Sequence, residues 1–297
     1  MAPESRTTQF VHLHKTLKKH YKPVAADSQR SVLEHLLFAC VLEGAHYEPA
    51  EESFAGLVHT FFDWNEVRVT SIAELAEVMA SLPDPRRAAN RVKRVLHSLF
   101  EDNFTFDLEG LRKQNLGPTI QWLEKLEGTD HFVVSYVVQA ALGGHAIAID
   151  AGTMHALHVL DLATDEEVAS GVVAGLERAI AKAKGAEFSA LLHQFGADFA
   201  ANAYAPKMRA ILLEVNPACE SRLPNRRDAR KAHAAAKKAA EAASEEAAAE
   251  SDAAEAAAKT GGGASREKAA GKKKDAKPGD AAKSKAAADK VAKRKPR

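Results

Sequence analysis

Asp150 has the setting most typical of a residue that does chemistry. It ends a short apolar run, Ile147-Ala-Ile, and precedes a segment that is expected to begin a helix near Thr153. A carboxylate in that place can cap the helix by accepting its first backbone N–H groups. It can also stabilise a developing positive charge and activate water. One side chain can have both roles, so Asp150 is a candidate helix cap and a candidate catalytic residue.

The histidines near Asp150 and the two cysteines of the chain do not form a recognisable metal site. His155 and His158 are spaced to share one helix face, and His145 precedes Asp150, but no third and fourth ligands follow at matching spacing. Two cysteines, Cys40 and Cys219, are too few for a disulfide scaffold or for a cluster held by four thiolates. We therefore expect no metal and no iron–sulfur cofactor.

The charges are divided unevenly along the 297 residues. The whole chain has 41 Lys and Arg against 40 Asp and Glu, but residues 226–297 carry 20 basic and 11 acidic residues. That tail is rich in Ala and Lys, lacks aromatic residues and includes Lys272, Lys273 and Lys274. Such a composition predicts disorder and binding to the phosphates of a nucleic acid. The alternative is a solubilising tail without a defined partner.

Helical spacing of apolar residues predicts an all-α body. Expected helices cover residues 31–45, 71–80, 86–100, 164–183 and 187–204, with another from Gly117. The apolar segment 132–142 suits a buried helix or a strand. No run approaches the ~18 apolar residues of a membrane helix, and the start lacks the apolar core of a signal peptide. We expect a soluble, monomeric intracellular protein, cytoplasmic or nucleoid-associated, that does not bind membranes.

One continuous block carries a recognisable motif. It runs from Leu126 to Asp150 and ends in Ile147-Ala-Ile-Asp150. The block resembles, without a gap, the helix-hairpin-helix, Gly/Pro loop and Asp segment of the endonuclease III-like DNA glycosylase superfamily. In this resemblance Leu126 and Gly128 match the hairpin, and Gly143 matches the loop. The likeness extends over roughly residues 32–204. It implies a two-lobed helical fold, DNA as partner and base excision as the activity.

The resemblance also assigns roles to individual residues. It implies that Asp150 is catalytic. DNA-binding positions would be Gly128, Thr129, His131 and Gly143, joined by the tail lysines. Pocket candidates would be Glu43, Ala45, His46 and Phe132.

The chain departs from the family pattern at several of these positions. Phe132 replaces the lysine nucleophile of bifunctional members, so a Schiff-base lyase step is not expected. Asp130 replaces the second hairpin glycine and places a carboxylate where a phosphate would sit. Ala45 replaces the glutamine that fills the gap left by a flipped base.

These observations predict three parts: an N-terminal extension (residues 1–27), the helical domain (28–225) and the basic tail (226–297). Three functions remain possible. The first is a monofunctional glycosylase that uses Asp150 and water. The second is a catalytically inactive DNA-binding protein with the same fold and tail. The third is a helical scaffold whose tail binds another polyanion, such as RNA.

Overall fold

Every regular element in the described part of the chain is a helix. The structure, a computed structural model, describes residues 5–223. Its α-helices are α1 Arg6–His20, α2 Val32–Leu42, α3 Tyr47–Thr60, α4 Trp64–Val69, α5 Ile72–Val78, α6 Pro85–Asn103, α7 Leu116–Leu123, α8 His131–Ala140, α9 Ala151–Val159, α10 Asp165–Ser170, α11 Leu176–Ala179, α12 Lys182–Asn202 and α13 Pro206–Val215. Two 3₁₀ turns, Glu109–Lys113 and Pro217–Arg222, complete the described elements. The all-α prediction is confirmed, and the predicted tail lies outside these residues.

Capping residues explain where several helices begin. Ser71 and Glu74 form a capping box at α5, and Thr164 and Glu167 form another at α10, as their spacing predicts. The prediction of one helix over residues 164–183 is wrong, because α10 ends at Gly171 with φ of 74°. That left-handed backbone suits glycine and terminates a helix.

Two hydrophobic cores divide the described chain into two lobes. The first lobe contains α2 to α8, and its core is centred on the packing of α2 against α8. The second lobe contains α1 and α9 to α13, with α9 packed against α12. The chain crosses between the lobes at residues 141–150, so Asp150 lies at their junction. This agrees with the two-lobed prediction.

The predicted N-terminal extension contains a helix that belongs to the second core. Phe10, Leu13 and Leu17 of α1 are at most 1% exposed. Burying a side chain of this size contributes about 1.5–3 kcal/mol, so α1 is an integral part of the fold. The domain boundary expected at residue 28 therefore excludes a helix that the second lobe needs.

The segment with ambiguous helix and strand signals is a helix. Its residues Phe132 to Val138 are all buried in α8. The packing against α2 leaves no solvated face, which is why the sequence shows no clear period. Within residues 5–223, no helix is long and apolar enough to cross a membrane.

Candidate active site

The turn between α7 and α8 is a tight hairpin that requires glycine. Gly128 has φ of 92°, and a Cβ atom there would lie 2.8 Å from the backbone oxygen of Arg91. The hydroxyl of Thr129 lies 2.9 Å from the Leu123 carbonyl oxygen and 2.8 Å from that of Leu126, so it closes the turn from inside. Thr129 therefore closes the hairpin, and Gly128 lets it pack closely against α6.

Asp130 caps the helix that leaves this hairpin. Its Oδ1 accepts a hydrogen bond of 3.0 Å from the backbone N–H of Val133. Its Oδ2 accepts one of 2.6 Å from Arg91, which also forms an ion pair with Glu43 at the end of α2. The N-terminus of α8 thus already holds a carboxylate of its own chain, in the place that attracts anions.

A short extended segment between α8 and α9 places Asp150 at the junction of the lobes. Gly143, with φ of 67°, turns the chain after α8. At Gly144 a Cβ atom would lie 2.4 Å from a methyl group of Val138, so the loop packs tightly on α8. Ile147, Ala148 and Ile149 are then buried in succession and fix the path to Asp150.

Asp150 is a buried carboxylate at the N-terminus of α9. Its Oδ1 accepts a hydrogen bond of 2.7 Å from the backbone N–H of Thr153, and the residue is only 3% exposed. The expected helix cap is therefore present. Its second oxygen, Oδ2, is also buried and has no partner with hydrogen-bond geometry within residues 5–223.

His193 of α12 is the neighbour of that second oxygen. Its Nδ1 lies 3.2 Å from Asp150 Oδ2, and its Nε2 lies 2.8 Å from the carbonyl oxygen of Ala45. The sequence predicts only that His193 lies in a helix over residues 187–204, and it gives no sign of this contact. The two residues are 43 positions apart, so no local spacing could have revealed it.

Burial and charge act in opposite directions on Asp150. Burial alone would raise the pKa of its carboxyl group. The imidazole of His193 and the backbone N–H of Thr153 outweigh that effect and hold the pKa below its ordinary value. Asp150 is therefore an ionised carboxylate at neutral pH.

An open cavity of about 290 Å³ brings several predicted residues together. Its wall contains Asp150, Glu43, His131 and Phe132 from the sequence-based set. Asp130 and His155 add polar groups, and the apolar part includes Ile149, Met154 and Val168. Three carboxylates, two imidazoles and an aromatic ring thus share one cavity with a partly apolar wall.

Other candidates lie outside the cavity. The backbone carbonyl oxygen of Ala45 accepts a hydrogen bond from His193, and the Ala45 side chain does not line the cavity. His46 does not line this cavity, and its Nε2 lies 2.9 Å from Asp198 Oδ1. Gly128, Thr129 and Gly143 are structural turn residues in this geometry, and Lys272, Lys273 and Lys274 lie beyond the described residues.

The described residues do not assemble a metal-binding group. No cluster of three or more His, Cys, Asp or Glu side chains with suitable geometry occurs within residues 5–223. Cys40 is buried in the first core and Cys219 in the second. A four-thiolate cluster does not fit this chain, because it has only these two cysteines.

Comparison with solved structures finds similar chains among DNA glycosylases. A trapped endonuclease III–DNA covalent intermediate is 17% identical, with a TM-score of 0.49, over 65% of this chain and 86% of that chain. A thermostable thymine-DNA glycosylase is 13% identical, with a TM-score of 0.46, over 68% of this chain and 88% of that one. The 3-methyladenine DNA glycosylase of H. pylori, bound to 1,N6-ethenoadenine, is 15% identical, with a TM-score of 0.44, over 66% and 99%.

This chain is similar to these glycosylases. No protein-family model matches the sequence, and no curated protein matches it.

Proposed function

We propose that the protein is a DNA glycosylase that hydrolyses the N-glycosidic bond of a damaged or mispaired base, with Asp150 and water. The observation that carries the proposal is the position of Asp150. It is an ionised carboxylate at a helix N-terminus, it is nearly buried, and it lines an open cavity between two helical lobes. The sequence resemblance of residues 126–150 independently assigns the catalytic role to this residue.

The proposed reaction needs only the carboxylate and a water molecule. The base leaves with the electron pair of the C1′–N bond, and the sugar develops positive charge that Asp150 stabilises. Water then attacks C1′ and its proton passes to the carboxylate. The base would have to be flipped out of the duplex, because the reacting bond is not accessible within the stack. Phe132 supplies an aromatic wall beside it.

Phe132 also supports the monofunctional form of the proposal. A lyase step needs a primary amine to form a Schiff base with the sugar. In the sequence resemblance Phe132 stands at the position of that amine, and no lysine lines the cavity within residues 5–223. Base release should therefore occur without strand cleavage, and borohydride should trap no covalent complex.

Base release from defined duplexes tests the proposal. The panel contains uracil, thymine glycol, 8-oxoguanine opposite adenine, an alkylated purine and an abasic site. Asp150→Asn keeps an effective helix cap but removes the charge, and we expect it to reduce the single-turnover rate at least 100-fold. Asp63→Asn changes the cap of α4 in the same way, away from the cavity, and should leave the rate unchanged.

One observation favours a second function, a catalytically inactive DNA-binding protein. Asp130 occupies the N-terminus of α8, so the hairpin carries a negative charge where an active glycosylase would bind phosphate. The same experiment separates the two functions. The binding protein would be favoured if DNA binding is intact, no duplex releases a base, and Asp150→Asn leaves DNA affinity unchanged.

A further inference from the structure

The ring of His193 connects the carboxylate of Asp150 to the backbone of Ala45. Its Nε2 lies 2.8 Å from the Ala45 carbonyl oxygen. A carbonyl oxygen only accepts hydrogen bonds, so Nε2 must carry a hydrogen atom. Nε2 is therefore a hydrogen-bond donor, and the protonation of Nδ1 depends on its contact with Asp150.

The position of Nδ1 requires a proton between the two residues. It lies 3.2 Å from Asp150 Oδ2, both side chains are at most 2% exposed, and neither atom has another partner within residues 5–223. A neutral ring protonated at Nε2 would point a lone pair at an ionised carboxylate, and both atoms would remain buried and unsatisfied. Such a pair costs free energy unless a proton lies between the atoms.

The surroundings favour the imidazolium–carboxylate arrangement. The ring of Phe132 lies against His193 at 5.5 Å between centroids, and the ring of Tyr47 meets it edge to face at 5.1 Å. Aromatic faces attract cations, so the face of Phe132 suits a positively charged imidazole. The backbone N–H of Thr153, donated to the other oxygen of Asp150, stabilises the negative charge.

We propose that His193 is the positioning residue of the site, an imidazolium that shares its Nδ1 proton with Asp150 and fixes the orientation of the carboxylate. The proposal rests on the proposed function of Asp150. With Oδ1 held by Thr153 and Oδ2 held by His193, the carboxylate cannot rotate. The Ala45 contact further joins this pair to the segment after α2, which carries Glu43 into the same cavity.

Two matched substitutions separate the two contacts of His193. The amide nitrogen of asparagine approximates Nδ1, so His193→Asn keeps a donor toward Asp150 and loses the Ala45 contact. The amide nitrogen of glutamine approximates Nε2, so His193→Gln keeps the Ala45 contact and loses the one to Asp150. We expect His193→Gln to lower the single-turnover rate about 10- to 100-fold. His193→Asn should stay within about threefold of the wild-type rate, because it keeps the donor to Asp150. Both variants should bind DNA with similar affinity. Equal rates in the two variants would overturn the proposal.

Nitrogen NMR of the histidine rings tests the shared proton without turnover. In the wild-type protein at neutral pH, both ring nitrogens of His193 should be protonated, and in Asp150→Asn only Nε2 should be. A wild-type ring protonated at Nε2 alone would overturn the proposal, even if the variants failed to fold. If no duplex releases a base, the proposed function fails, and the spectrum still decides the state of the pair.

Discussion

The carboxylate of Asp130 lies 2.6 Å from the guanidinium of Arg91 while it caps α8. Arg91 also pairs with Glu43, so one arginine on α6 joins the hairpin to a residue of the cavity wall. The N-terminus of α8 therefore already holds an anion, and the arginine beside it is paired with two carboxylates.

Removing that charge should strengthen DNA binding. Asp130→Asn keeps a good helix cap and removes one negative charge. It also removes one of the two ion pairs of Arg91, so that the guanidinium Nη2 group can contact a phosphate while the Nη1 group stays paired with Glu43. We expect severalfold tighter binding at low salt and a salt dependence steeper by about one unit in the slope of log K against log salt. Fluorescence anisotropy with a labelled duplex measures both, with Asp63→Asn as the matched cap substitution. Unchanged or weaker binding would show that the hairpin does not contact phosphate.

The crossing of α9 and α12 should not tolerate a larger side chain at Gly196. A Cβ atom there would lie 2.0 Å from Thr153 Oγ1 and 2.6 Å from Thr153 N, the atom whose hydrogen bond holds Asp150. We expect Gly196→Ala to lower the free energy of unfolding by about 3 kcal/mol and to lower base release as well. Urea denaturation measures the first effect. Gly110→Ala is the control, since no heavy atom lies within 4 Å of its Cβ position.

The sequence contains local signals for most of the helices and for Asp150. The capping pattern at Ser71 and Glu74 lies within one turn, and Asp150 ends an apolar run just before a helix. The helix α1 has such a signal too, since Phe10, Leu13 and Leu17 follow the spacing of one helix face. Features of this kind depend only on neighbouring residues.

The contacts that complete the site join residues far apart in sequence. His193 meets Asp150 only because α12 packs on α9, and Arg91 meets Asp130 only because the hairpin packs on α6. Composition and spacing carry no information about which histidine or arginine faces inward. The resemblance likewise predicts His46 as a pocket residue without indicating its contact with Asp198, from which its Nε2 lies 2.9 Å.

Acid should remove the contribution of Glu167 to stability. Hydrogen bonds from Arg6 lower the pKa of Glu167 to about 2, and the pair ties α1 to the segment that begins α10. A carboxyl group with a lowered pKa in the folded state stabilises the protein at neutral pH, and that stabilisation is lost between about pH 5 and pH 2. Glu167→Gln should lower the free energy of unfolding at pH 7 by only about 1–2 kcal/mol, because water partly screens the ion pair with Arg6.

When urea denaturation is repeated at decreasing pH, the difference between wild type and Glu167→Gln should stay constant from pH 7 to about pH 5 and then shrink toward pH 3. Glu166→Gln, at an exposed neighbour, is the control and should show little effect at any pH. A difference that stays constant with pH would mean that the ion pair with Arg6 is not the source of the stabilisation.

Deleting residues 226–297 should separate DNA affinity from base chemistry. The deleted segment carries nine more basic than acidic residues, whereas residues 1–225 carry eight more acidic than basic ones. Because cationic segments bind DNA through the release of counterions, the truncated protein should bind more weakly and with a smaller salt slope. Its single-turnover rate at saturating protein should match that of the full chain, since Asp150 and His193 are retained. Equal affinity of the two forms across a salt titration would contradict the assignment of the tail to DNA.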